Sequence, residues 1–243
     1  MESFEKLTSP SLKELFVSRV AGMILSGKLR VGEKFPPERA LAEQMGVGKT
    51  VVHTGLQELQ SMGLVTIKPQ SGVFVADYMQ DGNLATFNAI VRFNGDNLSV
   101  ETIAGLFDLR LAVQGHALIA LADKHTPEDI ARLRECVDRL GEFAASEEFS
   151  MGELAARMYE FPKLICRLGG MPMLALVFKS VEEGAVYLTE RYLRSLGTAE
   201  AINELYRYVD CIERGDGHAA VAHLKDIMDD QLARYKRLKA KSI

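Results

Sequence analysis

Lys49, Thr50 and His53 open an amphipathic stretch, KTVVHTGLQELQSM, and Arg39 lies upstream in ERALAEQM. An ammonium, a hydroxyl and an imidazole share one kind of chemistry: hydrogen bonds to phosphate oxygens and to the edges of bases. On a helix Lys49 and Thr50 fall on the first turn and His53 one turn on, all on the side away from Val52 and Leu56. A helix laid in the major groove presents that first turn to base edges. Arg39 suits a phosphate or a guanine. Further on, Gln70, Ser71 and Gly72, with Lys68 beside them, form a polar tip able to enter a minor groove. Gly72 permits close backbone approach there. The set is one that reads a duplex by non-covalent contacts.

Such residues need a scaffold, and the pattern around them supplies one. Leu12, Leu15, Phe16, Val20 and Ile24 recur at helical spacing over 10–26, and Gly27 follows as a stop. GKLRVGEKFPP is a loop, and Pro37 is expected in the first turn of a short helix that ends at Met45 and Gly46. A third helix over 49–62 carries Val52, Leu56 and Leu59 as its apolar stripe, with Gly63 as a left-handed stop. LVTIK and VFVAD, joined by PQSG, read as a β-hairpin. Two helices joined by a short turn and followed by a hairpin predict a winged helix-turn-helix. The expected division is a DNA-binding domain over 1–76, a polar linker over 77–82 (DYMQDG) and a second domain over 83–243.

The second part shows no strand pattern. Helices are expected near 83–93, 98–123, 126–144, 149–168, 171–195, 199–214 and 216–239, with breaks at NGDN, KHTPED, SEEFS, LGGMP, SLGT and RGDG. Thr126 and Thr198 are expected caps. The fold class is thus mainly α, with a carboxy-terminal bundle of about seven helices. Net charge is -4, with residues 1–78 carrying nine Lys/Arg against eight Asp/Glu. A near-neutral reader of DNA must gather its few cations on one face, and its grip should fall with salt. Cys136, Cys166 and Cys211 are widely spaced and suit reduced thiols in a cytoplasm. No apolar run approaches the roughly 20 residues of a membrane span, no secretory signal is evident, and neither a membrane nor a cofactor is expected. There is no nucleophile–His–acid set, no Gly-rich phosphate loop and no metal motif, which argues against an enzyme.

FPPERALAEQMGVGKTVVHTGLQELQSMGLV…SGVFV resembles the GntR family of bacterial transcription regulators over about residues 11–76. The helical remainder looks like the FadR-type effector domain, on DLRLAVQGHALIALA, LICRLGGMPMLALVF and IERGDGHAAVAHL. The resemblance implies that Arg39 contacts DNA. Lys49 and His53 stand where the family has arginines, and Gly48 stands where it has a capping Ser or Thr. Lysine is a point donor and histidine offers one or two, so the operator should differ from the common one, and His53 brings in pH dependence. Many relatives hold a metal with one Asp and three His. Those positions fall on Met158, Pro162, Leu205 and Ile227, so no metal centre is expected. With Phe161 they are expected either to line an apolar cavity or to fill it, and Pro162 to kink its helix. Arg110 and Gln114 share a helix face, and Arg110 is expected to meet either a ligand's acid group or a structural carboxylate. Tyr159, Tyr187, Arg191 and Tyr192 are further polar candidates.

The expected function is therefore a cytoplasmic, ligand-responsive regulator. It binds a palindromic double-stranded operator as a homodimer, with an organic acid or a fatty acyl-CoA as effector. Binding of that effector is expected to respace the two recognition helices. The alternative is a protein-interaction module that no longer reads DNA.

Overall fold

The structure, a computed structural model, describes residues 10–94 and 98–240. It forms two compact units that divide between Asp96 and Asn97. The predicted break at NGDN falls largely outside the described residues.

The first unit opens with α1 (Leu12–Leu25). The Ser11 hydroxyl accepts from the Glu14 N–H at 3.2 Å, and the Glu14 carboxylate accepts from the Ser11 N–H at 2.7 Å. This reciprocal cap satisfies two donors that the helix start would otherwise orphan. A short α2 (Glu38–Met45) and then α3 (Lys49–Ser61) follow. Pro37 takes the position just before α2 rather than its first turn. β1 (Val65–Lys68) and β2 (Gly72–Val75) pair antiparallel, with Val65 opposite Val75 and Lys68 opposite Gly72. The chain before α2 lies along the other edge of β2: Lys34 bridges Phe74, and the Phe35 N–H donates to the Val73 carbonyl at 2.9 Å. One core joins Phe16, Val20 and Ile24 of α1 to Val52, Leu56 and Leu59 of α3 and to Val65, Val73 and Val75 of the hairpin. Each of these buried side chains contributes about 2 kcal/mol. The stripe thus fixes where α3 sits, and its exposed first turn is free for other use.

α4 (Leu84–Asn94) packs on α1, which places it in this unit. The polar stretch DYMQDG over 77–82 predicts a linker ahead of α4. The compact units part after α4 instead.

The second unit is all helical: α5 (Val100–Ala122), α6 (Pro127–Ala144), α7 (Met151–Met158), α8 (Glu160–Leu168), α9 (Pro172–Ser180), α10 (Glu182–Leu196), α11 (Thr198–Glu213) and α12 (Gly217–Ala240). Among the described residues these are eight helices where about seven were expected, α4 having joined the other unit. Two expected helices are each split. The segment over 149–168 breaks at Tyr159, so Pro162 is the third residue of α8, in a first turn where a missing N–H costs no helical bond. The segment over 171–195 breaks at Val181, and Glu182 at the head of α10 is bound by Lys163 and Lys179. Thr126 caps α6 as expected, whereas Thr198 lies inside α11 and Gly197 precedes it with no side-chain cap.

α5 passes through the middle of this unit, against α12, α8 and α11. It is long and apolar enough by composition to cross a membrane, with a mean hydropathy of 1.3 over its most apolar stretch. Here Leu118, Leu121 and Ala117 are buried in the bundle core beside Leu133, Leu154, Ile165, Val209 and Leu224.

Candidate DNA-reading face and ligand cavity

The turn between α2 and α3 depends on Gly46, which is left-handed at φ 65°, and on the Val47 N–H donating back to the Ala42 carbonyl at 3.1 Å. Gly48 then enters α3 extended, with no side chain to cap it. The Val51 N–H turns back to the Gly48 carbonyl at 3.0 Å, which leaves the N–H groups of Lys49 and Thr50 without an internal acceptor, and a helix start of this kind favours an anion such as a phosphate. Lys49, Thr50 and His53 are all exposed there, and Val52 and Leu56 are buried behind them. His53 Nδ1 lies 2.9 Å from Glu38 Oε1, so the two helices are also joined across their exposed side. Arg39 is 89% exposed and meets Glu43 one turn on at 3.3 Å. A surface pair of this kind contributes only a few tenths of a kcal/mol, so the guanidinium is free to exchange it for a phosphate.

The hairpin tip holds Gln70 and Gly72 at φ 60° and 110°, and the Ser71 N–H closes the turn onto the Lys68 carbonyl at 3.0 Å. Lys68, Gln70, Ser71 and Gly72 are exposed. Two cations flank Phe74, with Lys68 Nζ at 5.2 Å and Lys34 Nζ at 5.7 Å from the ring centre. Lys34 was not singled out in the sequence. It reaches the wing only through the bridge to Phe74, for which sequence spacing carries no signal. Glu38 is likewise silent in the sequence, because a carboxylate in the first turn of α2 reads as an ordinary helix-start acid.

In the helical unit, Arg110, Gln114, Met158, Tyr159, Pro162, Leu205 and Ile227 line one cavity of about 50 Å³. The four positions that the resemblance matched to metal ligands thus converge in space. A thioether, a proline ring and two aliphatic side chains do not fit a divalent metal. No group of three or more His, Cys, Asp or Glu suited to a metal occurs among the described residues. The cavity's cation is Arg110, half-buried, whose Nε–H donates to Gln114 Oε1 at 2.9 Å. Gln114 itself is 1% exposed. Among the described residues no carboxylate comes within ion-pair distance of Arg110. Glu204 lines the same cavity, but its carboxylate is engaged by Arg207 at 2.9 Å and by His223 Nε2 at 3.0 Å.

Three phenols border the cavity. Burial holds Tyr159 and Tyr208 well above the ordinary tyrosine range, against an opposing pull from Arg110. Burial, with Asp230 and Glu204 nearby, pushes Tyr192 up to about 12. All three are therefore neutral donors. Tyr159 already donates to the Phe178 carbonyl at 3.2 Å. Thr189, Tyr208 and Gln231 complete the polar lining and were not anticipated. They come from three different helices with no shared motif. Arg191 is placed elsewhere, in an adjoining cavity of about 40 Å³ that shares Tyr192 and Gln231 with the first. Tyr187 lines neither cavity.

Comparison with known proteins agrees with both units. The model of bacterial regulatory proteins of the gntR family matches residues 14–75, and that of the FCD domain matches residues 105–230. An HTH-type transcriptional regulator of Mycobacterium tuberculosis is 36% identical over 120 residues, which cover 49% of this chain and 48% of that protein. The match thus spans about half the length of that relative. The HTH-type regulator YcbG of Bacillus subtilis is 24% identical over 171 residues, covering 70% and 67%. Among solved structures, that of Lar, which controls expression of the Listeria monocytogenes agr system, aligns with a TM-score of 0.68 at 13% identity over 96% of this chain and 100% of that one. At that identity the likeness is one of fold.

Proposed function

This chain belongs to the GntR family of bacterial regulators, a DNA-binding transcription regulator with a carboxy-terminal FCD effector domain rather than an enzyme, and from that premise we propose that it grips a two-fold symmetric operator as a cytoplasmic homodimer and changes that grip when a small organic acid enters the Arg110 cavity. Contacts to the operator come from Arg39, Lys49, Thr50 and His53, with Lys68, Gln70, Ser71 and Gly72 at the wing. One recognition helix reads only a few base pairs, so two copies are needed for a selective site. Leu109, Met173 and Leu176 leave apolar area uncovered on the helical unit, in keeping with a second copy there.

The observation that carries the effector reading is the guanidinium of Arg110, which meets no carboxylate within ion-pair distance among the described residues, in a cavity whose one acid, Glu204, is already engaged by Arg207 and His223. A half-buried cation is costly without an anion, and a ligand carboxylate supplies one with bidentate geometry. Size narrows the class. About 50 Å³ holds a few atoms, against roughly 300–1,000 Å³ for pockets that enclose drug-sized ligands. A short carboxylate therefore fits better than an acyl-CoA. Arg110 also lies on α5, the first helix after the winged unit, so a pull on its side chain acts on the element that leads to the DNA-binding part. The ligand shifts DNA affinity only as far as it distinguishes the two arrangements.

Mass spectrometry of acids that copurify with the native protein, followed by anisotropy titration of operator DNA with and without each acid, tests this. The expected result is a shift in operator affinity that Arg110→Gln abolishes while leaving ligand-free DNA binding intact. A response that survives Arg110→Gln refutes the assignment. Absence of sequence-selective, salt-sensitive binding by the native chain would favour a protein-interaction module instead.

A further inference from the structure

We infer that Glu38 sets the base preference of His53 by fixing which ring nitrogen carries the proton. The inference rests on the reading of α3 as the base-reading helix. His53 Nδ1 lies 2.9 Å from Glu38 Oε1. An ionised carboxylate only accepts hydrogen bonds, so Nδ1 must donate. A neutral imidazole has a single N–H, and with that proton on Nδ1 the Nε2 atom is an acceptor alone. No second hydrogen bond of the ring occurs among the described residues, and the His53 side chain is 53% exposed against 29% for Glu38. Glu38 is the one described carboxylate within ion-pair distance of the ring, and Lys49 and Arg39 are the exposed cations at the same ends of α3 and α2.

The consequence for readout follows from the major-groove pattern of donors and acceptors. An acceptor there is met by an amino group, which cytosine presents at N4 and adenine at N6. An arginine at the same place would choose guanine through O6 and N7. The Glu38–His53 pair therefore exchanges a guanine reader for a reader of amino-bearing bases. Neither residue does this alone: without Glu38 the ring is free to move its proton to Nε2 and become a donor.

The test is a selection from randomised duplex DNA with the full-length chain at pH 8, above the ordinary histidine range. Native protein, Glu38→Ala, Glu38→Gln and His53→Arg are compared, and nitrogen-15 NMR of the imidazole in the free proteins reads the tautomer directly. The native protein should enrich cytosine or adenine over guanine about fivefold at one position per half-site, as a single neutral hydrogen bond allows. Glu38→Ala and Glu38→Gln should flatten that position and populate the Nε2–H tautomer, and His53→Arg should turn it to guanine. Equal strengthening of Glu38→Ala on every sequence, with the preference unchanged, would mean that Glu38 merely repels phosphate and would overturn the inference. So would an Nε2–H tautomer in the native protein. If the native protein selects no sequence at all while its ring is protonated at Nδ1, the DNA-reading role of α3 fails and takes this inference with it. If it selects a site that is indifferent to Glu38 and His53, this inference fails alone.

Discussion

A methyl group placed on Gly55 measures how closely α3 is held against α1. A Cβ there would lie 2.4 Å from Cδ1 and 2.8 Å from Cε1 of Phe16. Carbon atoms rest at about 3.5–4.0 Å, so the helices or the ring must give by roughly 1 Å. Phe16 is 2% exposed and hemmed in by the core, so the ring has little room to turn. Overpacking of this kind costs about 1–3 kcal/mol. Replacing glycine by alanine inside a helix returns about 1 kcal/mol. The net for Gly55→Ala is a loss of about 1 kcal/mol at mid-range, which lowers the melting temperature of so small a unit by roughly 4–8 °C. Thermal melts by circular dichroism give the size, and hydrogen exchange of the α3 amides shows where it falls. Phe16→Leu should cost less in the Gly55→Ala background than alone, since the two sites touch. A Gly55→Ala protein that melts higher than the native one, as helix propensity by itself demands, refutes the close-contact reasoning.

Other changes test the helical unit. Lys163 is 3% exposed and bonded to both Glu160 and Glu182, so Lys163→Met should cost about 3 kcal/mol by urea unfolding, and adding Glu182→Gln should recover part of it. Removal of the α6 cap by Thr126→Ala should cost about 1 kcal/mol at pH 7. The backbone N–H and hydroxyl of Thr126 hold the Asp129 carboxyl below its ordinary value, so its stabilisation is present above about pH 4 and is lost as pH falls through the lowered folded value. The stability gap between native protein and Asp129→Asn should accordingly narrow in urea melts as pH is taken progressively below about 4. Tyr192 titrates at about 12 when folded and near 10 when unfolded, so the unfolded chain releases a proton the native state retains and stability must fall from pH 10 to 12. Tyr192→Phe should make that decline shallower in denaturant melts across the range.

The sequence spoke clearly where burial imposes a period. Val52, Leu56 and Leu59 recur at helical spacing because one face of α3 meets the core, and the residues left over on its first turn were thereby identified as exposed. Nine cavity residues were also legible, through the resemblance and as polar candidates beside it, although they come from six helices and the junction at Tyr159. What escaped notice has local or long-range causes. The break at Val181 carries no Gly or Pro; it is an irregular residue between two helices whose junction is bound by Lys163 and Lys179 to Glu182. Arg191, a further polar candidate near the same helices, lines the neighbouring cavity. α4 gave its periodicity but not its partner, since a polar stretch before it looks like a boundary wherever the helix finally packs. Lys34 and Glu38 depend on contacts with Phe74 and His53 across elements, and spacing along the chain does not reveal such pairings.

The uncapped entry at Gly48 has a bearing on what the free protein is like. A first turn whose leading N–H groups, those of Lys49 and Thr50, find no oxygen of their own rests partly on water, and such turns open easily. A phosphate of the duplex brings the absent oxygens with it. On the proposed reading of α3 the helix is thus completed by the operator it meets, so docking and local ordering happen together and slow amide exchange at Lys49 and Thr50 becomes a property of the bound state.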